Sequence, residues 1–70
     1  MFKELLKDLV GEEISLIKTK SGDDWQEVLV DEVKNEYVYL KGDGFTGYLR
    51  VDSIESITVE DEENELEEIN

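Results

Sequence analysis

The first residues of the chain carry apolar side chains at the spacing of an α-helix. Phe2, Leu5, Leu6 and Leu9 recur at intervals of three and four, with charged residues between them. This stripe is typical of an amphipathic helix, and Gly11 supplies its stop. A helix of about nine residues is too short to be stable alone in water. We therefore expect it to act as a lid that covers an apolar surface.

Beyond the helix, the apolar residues alternate with polar ones at the period of two that is typical of β-strands. The segment "EEISLIKTK" predicts strand one. Its two faces are expected to hold Ile14 and Leu16 on one side and Ser15, Ile17 and Thr19 on the other.

Three further strands follow, separated by the turn segments "SGDD", "KNE" and "GDG". Strand two is predicted in "WQEVLVDEV", strand three in "YVYLK" and strand four in "FTGYLRV". The "GDG" turn is tight and requires a positive backbone φ. The apolar face of these strands is expected to hold Val28, Val30, Val38, Leu40, Leu49 and Val51.

The link after strand four departs from the period of two. Val51, Ile54 and Ile57 are spaced by three, so "DSIE" predicts one turn of 3₁₀ helix capped by Asp52 or Ser53. Alternation then resumes as strand five. A flat sheet of five short strands would leave an apolar face and two edges uncovered. We therefore predict a mainly β fold, in which a short N-terminal α-helix precedes a strongly bent, five-stranded antiparallel small barrel.

Composition limits the chemistry of the chain. Its 70 residues contain no Cys and no His, which excludes disulfides, thiolate chemistry, histidine metal ligands and imidazole acid–base catalysis. A chain of this size hides only about 60% of the surface that its unfolded form exposes, so self-association is the remaining source of support. Nothing resembles a signal peptide, and no stretch approaches the ~18 apolar residues of a membrane span. We expect a soluble, cytoplasmic protein.

The formal net charge is -13, from 20 acids and 7 bases, and it is unevenly placed. Seven of the acids lie in "EDEENELEEIN", the segment from Glu60 to the end, which contains no base. Blocks of like charge repel one another and stay solvated. We therefore divide the chain into a barrel domain at 1–59, with a charge near -6, and an acidic, disordered tail at 60–70.

The order of helix, five bent strands and one-turn link resembles the Sm-like family, which includes the bacterial Hfq proteins. The segments that carry the likeness are "LLKDLVGEEISL", "VLVDEVKNEYVYL" and "GYLRVDSIESI". The resemblance implies a homo-oligomeric ring in which strand four of one subunit pairs with strand five of the next. It also implies single-stranded RNA as a ligand, bound by the loop after strand two and the loop between strands four and five.

By that resemblance, the residues expected to contact RNA are Asn35, Tyr37 and Arg50. Each also has an ordinary structural interpretation, as a turn residue, a half-buried aromatic and an ion-pair partner respectively. Arg50 is followed by Val51, where the family often has Gly, and the Tyr-Lys-His run of Hfq is missing. The negative charge of the chain also opposes RNA binding, which draws on cations that release counterions.

No motif in the sequence indicates catalysis. Paired carboxylates are abundant, but none is singled out for proton transfer, and the spacing of calcium or phosphate loops is not met. We expect a protein that is not an enzyme and uses no cofactor or metal. The alternative function is an acidic protein-interaction module that binds a basic partner or imitates nucleic acid. Trp25 is interpreted either as a plug at the edge of the core or as the anchor of a partner site.

Overall fold

A computed structural model describes residues 2–60 and 66–69 of the chain. The elements run in the order α1 (Lys3–Asp8), β1 (Glu13–Thr19), β2 (Asp24–Lys34), β3 (Tyr37–Gly42), β4 (Phe45–Arg50), a 3₁₀ turn (Val51–Ser53), β5 (Ile54–Glu60) and β6 (Leu66–Ile69). The predicted helix, the five strands and the one-turn link are confirmed. None of the helices in these ranges is long and apolar enough to cross a membrane.

Helix α1 has six residues and is shorter than the predicted nine. It ends at Asp8, before Gly11, whose φ of 88° lies in the left-handed region that favours glycine. The Gly11 N–H donates to the carbonyl of Val30 at 2.8 Å, which ties the end of the helix to β2. Phe2 and Leu6 are buried. The predicted covering of the core by this helix is therefore confirmed.

The strands form one antiparallel sheet in the order β4-β3-β2-β1-β5-β6. Within the described residues, β4 and β6 are thus its two edges, and the sheet is not closed. The predicted barrel closure is not observed, because the side of β5 away from β1 pairs with β6 and not with β4. What remains of the prediction is a mainly β fold with a bent antiparallel sheet under a short helix.

The bend comes mainly from β2, which pairs with β1 through its first half and with β3 through its second. Between the pairs Ile14–Val28 and Leu16–Gln26, the step at Glu27 has a φ of 52°, which L-residues rarely adopt. A second irregularity lies between Val30 and Glu32 in the pairing with β3. Such distortions bend a strand and increase its twist.

Buried side chains do not alternate regularly along β1. Ile14 and Ile17 are both fully buried although they are three residues apart. The prediction that Ile17 lies on the face opposite Ile14 is therefore wrong. On β2, Trp25 and Val28 show the same spacing of three: Val28 is buried in the core, and the half-buried Trp25 packs against it.

The core lies between the helix and the inner face of the sheet, and its buried apolar residues are Phe2, Leu6, Ile14, Ile17, Val28, Val30, Val38, Leu40, Val51, Ile54 and Ile57. The interpretation of the spacing of three in the link after β4 is confirmed, since Val51, Ile54 and Ile57 are all buried. The predicted cap is wrong: the turn starts at Val51, and no side chain caps it. The Ser53 hydroxyl donates instead to the carbonyl of Arg50 at 2.7 Å.

The division into a barrel domain at 1–59 and an acidic tail at 60–70 stays a prediction, and the structure describes part of the tail. Glu60 is the last residue of β5, and Leu66–Ile69 form β6. Ile69 packs against the core. This apolar contact offsets part of the conformational entropy that is lost when β6 is ordered. Residues 61–65 and 70 lie outside the described residues, so the prediction stays open for them.

Candidate interaction surface

The outer face of the β3–β4 hairpin carries three tyrosines, Tyr37, Tyr39 and Tyr48, which we call the tyrosine face. Tyr39 pairs with Tyr48 across the two strands, and their ring centroids are 5.8 Å apart. The Tyr37 and Tyr48 rings meet edge to face at 5.7 Å. Both distances lie in the range of favourable aromatic pairs. Tyr48 remains 63% exposed, so the cluster presents aromatic surface to solvent.

Arg50 lies beside this face and is held by Asp52. Its Nε and Nη2 atoms donate to the two carboxylate oxygens of Asp52 at 3.0 and 2.9 Å, a bidentate pairing. The guanidinium carbon also lies 5.8 Å from the centre of the Tyr37 ring. The hydrogen bond from Arg50 lowers the pKa of the Asp52 carboxyl, and the same contact raises the pKa of the guanidinium. Both groups are solvent-exposed.

The two loops that the Sm-like resemblance indicated are brought together. The Val51 N–H, at the start of the 3₁₀ turn, donates to the carbonyl of Glu36 in the β2–β3 turn at 2.9 Å. The Lys20 N–H donates to the carbonyl of Ser53 at 2.8 Å and fixes the other side of the same turn. These two backbone hydrogen bonds hold the β4–β5 link against both neighbouring turns.

The structure therefore places the three expected RNA-contacting residues as follows. Tyr37 and Arg50 are paired across β3 and β4 and are in contact. Asn35 lies in the exposed β2–β3 turn with a φ of 56°, a conformation that asparagine tolerates. The turn interpretation of Asn35 and the ion-pair interpretation of Arg50 thus both fit the geometry.

Two other cations near the tyrosine face also have acidic partners. The Lys41 Nζ lies 3.5 Å from Asp31, and the Lys3 Nζ lies 3.3 Å from Glu36. Exposed pairs of this kind contribute at most about 1 kcal/mol each. They nevertheless neutralise the cations that would attract a phosphate backbone.

The strand at the margin of the tyrosine face, β4, is the sheet edge opposite β6, and we call Phe45–Arg50 the β4 edge. Its sequence "FTGYLR" contains one charged residue, Arg50. Phe45 and Tyr48 are 47% and 63% exposed. Edge strands of soluble proteins are usually protected by lysine, proline or bulges, and the only charge of this one is already paired with Asp52.

Trp25 packs from β2 onto the inner side of β4. Its ring centroid lies 6.2 Å from that of Phe45. A Cβ atom added to Gly47 would lie 2.8 Å from the Trp25 ring, so glycine is required for this close approach. Trp25 is half-buried and packs against the core. This arrangement matches the interpretation of Trp25 as a plug at the edge of the core.

Phe45, Tyr39 and Tyr48 were not predicted from the sequence to contribute to this surface. A pattern that indicates them does exist. The "GDG" turn closes the hairpin at the pair Gly42–Phe45, and counting outward from that pair puts Tyr48 opposite Tyr39. Aromatic residues directly opposite each other on neighbouring strands interact, so the tyrosine pair could have been predicted.

A shallow acidic cleft lies elsewhere on the sheet and is lined by Glu13, Ser15, Gln26, Glu27 and Glu60. Across residues 2–60 and 66–69, no group of three or more potential ligands is arranged to hold a metal ion. Comparison with protein families, with curated proteins and with solved structures finds no match to this chain.

Proposed function

We propose that this chain is a non-enzymatic, Sm-like protein that assembles with further copies of itself through the β4 edge. The observation that carries the proposal is the β4 edge itself, which combines exposed aromatic side chains with a single charge that is already paired. Unprotected edges of this kind are templates for pairing with another chain. A homo-oligomer would hide this edge and add the burial that a small chain lacks.

Several features support the Sm-like fold and the ring that it implies. Strands β1 to β5 follow the order β4-β3-β2-β1-β5, and a one-turn 3₁₀ helix links the two outer members. A short helix covers the core, as in the family pattern described above. We propose a ring in which β4 of one copy pairs with β5 of the next, on the side of β5 that β6 covers in the single chain. The cytoplasmic location expected from the sequence stays a prediction.

The energy of association would come from side chains at the edge. Full burial of a large apolar side chain is worth about 1.5–3 kcal/mol, and Phe45, which is 47% exposed, has a large fraction left to bury. The backbone groups of β4 would gain hydrogen-bond partners at the same time. These gains must exceed the cost of association, so we expect the assembly to depend on protein concentration.

Light scattering after gel filtration tests the proposal. The full chain should show a mass above the 8.1 kDa of one copy, rising with concentration. Thr46→Lys places a charge on the β4 edge and should return the protein to the single-copy mass. Val10→Lys makes the same change of charge at an exposed site outside the strands and should leave assembly intact. A single-copy mass at every concentration would contradict the proposal.

For the ligand of such an assembly, a basic protein segment is better supported than RNA. The specific observation is that the Arg50 guanidinium already donates two hydrogen bonds to the Asp52 carboxylate. This is the cation that would otherwise contact an RNA phosphate or base. The tyrosine face can instead bind arginine or lysine side chains through cation–π contacts, and the net charge of -13 attracts a basic partner.

Binding assays at two salt concentrations separate the two ligands. An arginine-rich peptide should bind the full chain at low salt and be released at high salt, and Tyr48→Ala should weaken its binding. Retention of short U-rich or A-rich RNA at low salt would contradict this assignment. RNA contacts through Asn35, Tyr37 and Arg50 would then be the better interpretation.

A further inference from the structure

We infer that the recess between Tyr39 and Tyr48 is a subsite for one arginine side chain of a basic protein partner, with Asp31 as the counter-ion. This inference rests on the proposed binding of a basic segment to the tyrosine face. It adds the place on that face where the segment binds and the kind of cation that it presents there.

The recess lies on the outer face of the sheet, where β2, β3 and β4 adjoin. Its lining includes Tyr39, Lys41, Thr46 and Tyr48 of the hairpin and Asp31 of β2. The centroids of its two tyrosine rings are 5.8 Å apart, and the ring planes are inclined by 40°. The recess therefore presents two aromatic rings and a carboxylate to one incoming group.

The charged groups at the recess are acidic on balance. Glu32 is directly paired with Tyr39 across β2 and β3, and the side chains of directly paired residues extend to the same face of a sheet. Asp31 and Glu32 thus bring two carboxylates, against the single ammonium of Lys41. A tyrosine ring also attracts a cation through its π-electrons. Both the rings and the charge favour a positively charged occupant.

The other end of the tyrosine face already holds an arginine in this way. The guanidinium carbon of Arg50 lies 5.8 Å from the centre of the Tyr37 ring, and its nitrogens donate to both carboxylate oxygens of Asp52. The recess repeats this combination of a tyrosine ring and a carboxylate. Because Arg50 is the only arginine of the chain, a guanidinium in the recess has to come from another molecule.

The present partner of Asp31 is weakly held. The Lys41 Nζ lies 3.5 Å from the Asp31 Oδ1, which is longer than the distance of about 2.7–2.9 Å in a strong charge-assisted hydrogen bond. A guanidinium forms two parallel hydrogen bonds to a carboxylate and stacks on aromatic rings, whereas an ammonium is a strongly hydrated point charge. Arginine is therefore a better occupant of the recess than lysine.

Peptides of equal charge test this preference with the full chain. Each peptide is an oligolysine of the same length in which one central residue is arginine, trimethyl-lysine or lysine. The negative charge of the protein attracts all three alike. The arginine peptide should bind about three- to tenfold more tightly than the lysine peptide, as measured by titration calorimetry at low salt.

Variants of the protein locate the preference. Asp31→Asn should remove most of it, because the guanidinium loses its counter-ion. Asp8→Asn makes the same change on α1, which covers the opposite face of the sheet, and should preserve the preference. Tyr39→Leu should also reduce the preference, and Tyr39→Phe, which keeps an aromatic ring, should retain it.

The outcomes separate this inference from the proposed function. Equal affinities of the arginine and lysine peptides, or equal losses in Asp31→Asn and Asp8→Asn, would overturn the recess as an arginine subsite. Tightest binding of the trimethyl-lysine peptide would overturn it too and would assign the recess to a quaternary ammonium group. In these cases the binding of a basic segment would stand. If neither these peptides nor an arginine-rich peptide binds at low salt, the proposed basic partner is contradicted, and the inference with it.

Discussion

Arg50 and Asp52, two residues apart in sequence, form a bidentate ion pair across the junction of β4 and the 3₁₀ turn, with distances of 3.0 and 2.9 Å. The pair turns the only arginine of the chain into a neutralised group. It leaves the tyrosine face beside it without a free guanidinium. The function of this surface therefore depends on aromatic contact and edge pairing more than on positive charge.

The pairing predicts a shifted titration of Asp52. Arg50→Gln removes the hydrogen bond that lowers the pKa of this carboxyl, so the pKa should rise toward its ordinary value. The folded-state pKa lies below the unfolded one. The pair therefore stabilises the fold above the unfolded pKa, and this contribution is lost as the pH falls through the folded pKa. Carboxyl carbon chemical shifts followed against pH measure the change.

Lys41→Gln is the matched control for that experiment. It removes one positive charge from a different exposed ion pair, with Asp31, and should leave the Asp52 titration unchanged. An equal shift in both variants would mean that general charge, and not the bidentate contact, sets the pKa of Asp52.

The contact between Gly47 and Trp25 predicts a large effect from a single methyl group. Gly47→Ala places a Cβ 2.8 Å from the Trp25 ring, so the free energy of unfolding should fall by about 1–3 kcal/mol. Urea denaturation measures this loss. In a Trp25→Leu background the same substitution should cost clearly less, because the ring is gone. Equal costs in both backgrounds would contradict the packing.

The packing of α1 over the core predicts that the stability of the fold depends strongly on Leu6, which is fully buried. Leu6→Ala should lower the free energy of unfolding by about 2–5 kcal/mol, as expected for a cavity in a core. Leu29→Ala removes the same atoms from a side chain that is 36% exposed and should cost less. Thermal or urea unfolding of the two variants compares them. Similar losses would mean that α1 does not seal the core.

The backbone at Glu27 predicts a stabilising substitution. A non-glycine residue at a φ of 52° carries strain of about 1–2 kcal/mol, and glycine recovers part of it at its own entropic cost of about 0.5–1 kcal/mol. Glu27→Gly should therefore be more stable than Glu27→Gln, which removes the same charge without relieving the backbone. If the glutamine variant is the more stable one in urea, the bend at this step is not strained.

Local patterns predicted most of the elements. The helical stripe from Phe2 to Leu9, the alternation in β2 to β4, and the spacing of three from Val51 to Ile57 all correspond to observed elements. These patterns are local consequences of helix and strand geometry. Prediction failed where the observed burial departs from the local period, as at Ile17, which is buried three residues after the buried Ile14.

The candidate surface was predicted in part. The resemblance indicated Tyr37 and Arg50, and the structure brings them into contact. It could not indicate that Asp52 would hold the guanidinium, since this depends on the backbone path through the 3₁₀ turn. Strand β6 was not predicted, because the acidic composition of its segment indicated disorder. The packing of Ile69 on the core becomes possible only when the rest of the sheet has folded.

By itself, the sequence determined the type of each main element, the side of the hairpin that carries the tyrosines, and the acidic balance of the chain. Each of these follows from short-range spacing or from composition. Only the tertiary structure decided that the sheet stays open, that β6 lies on β5 and that β4 is left as an edge. Strand order and edge pairing join residues far apart in sequence, and no local pattern encodes which strands become neighbours.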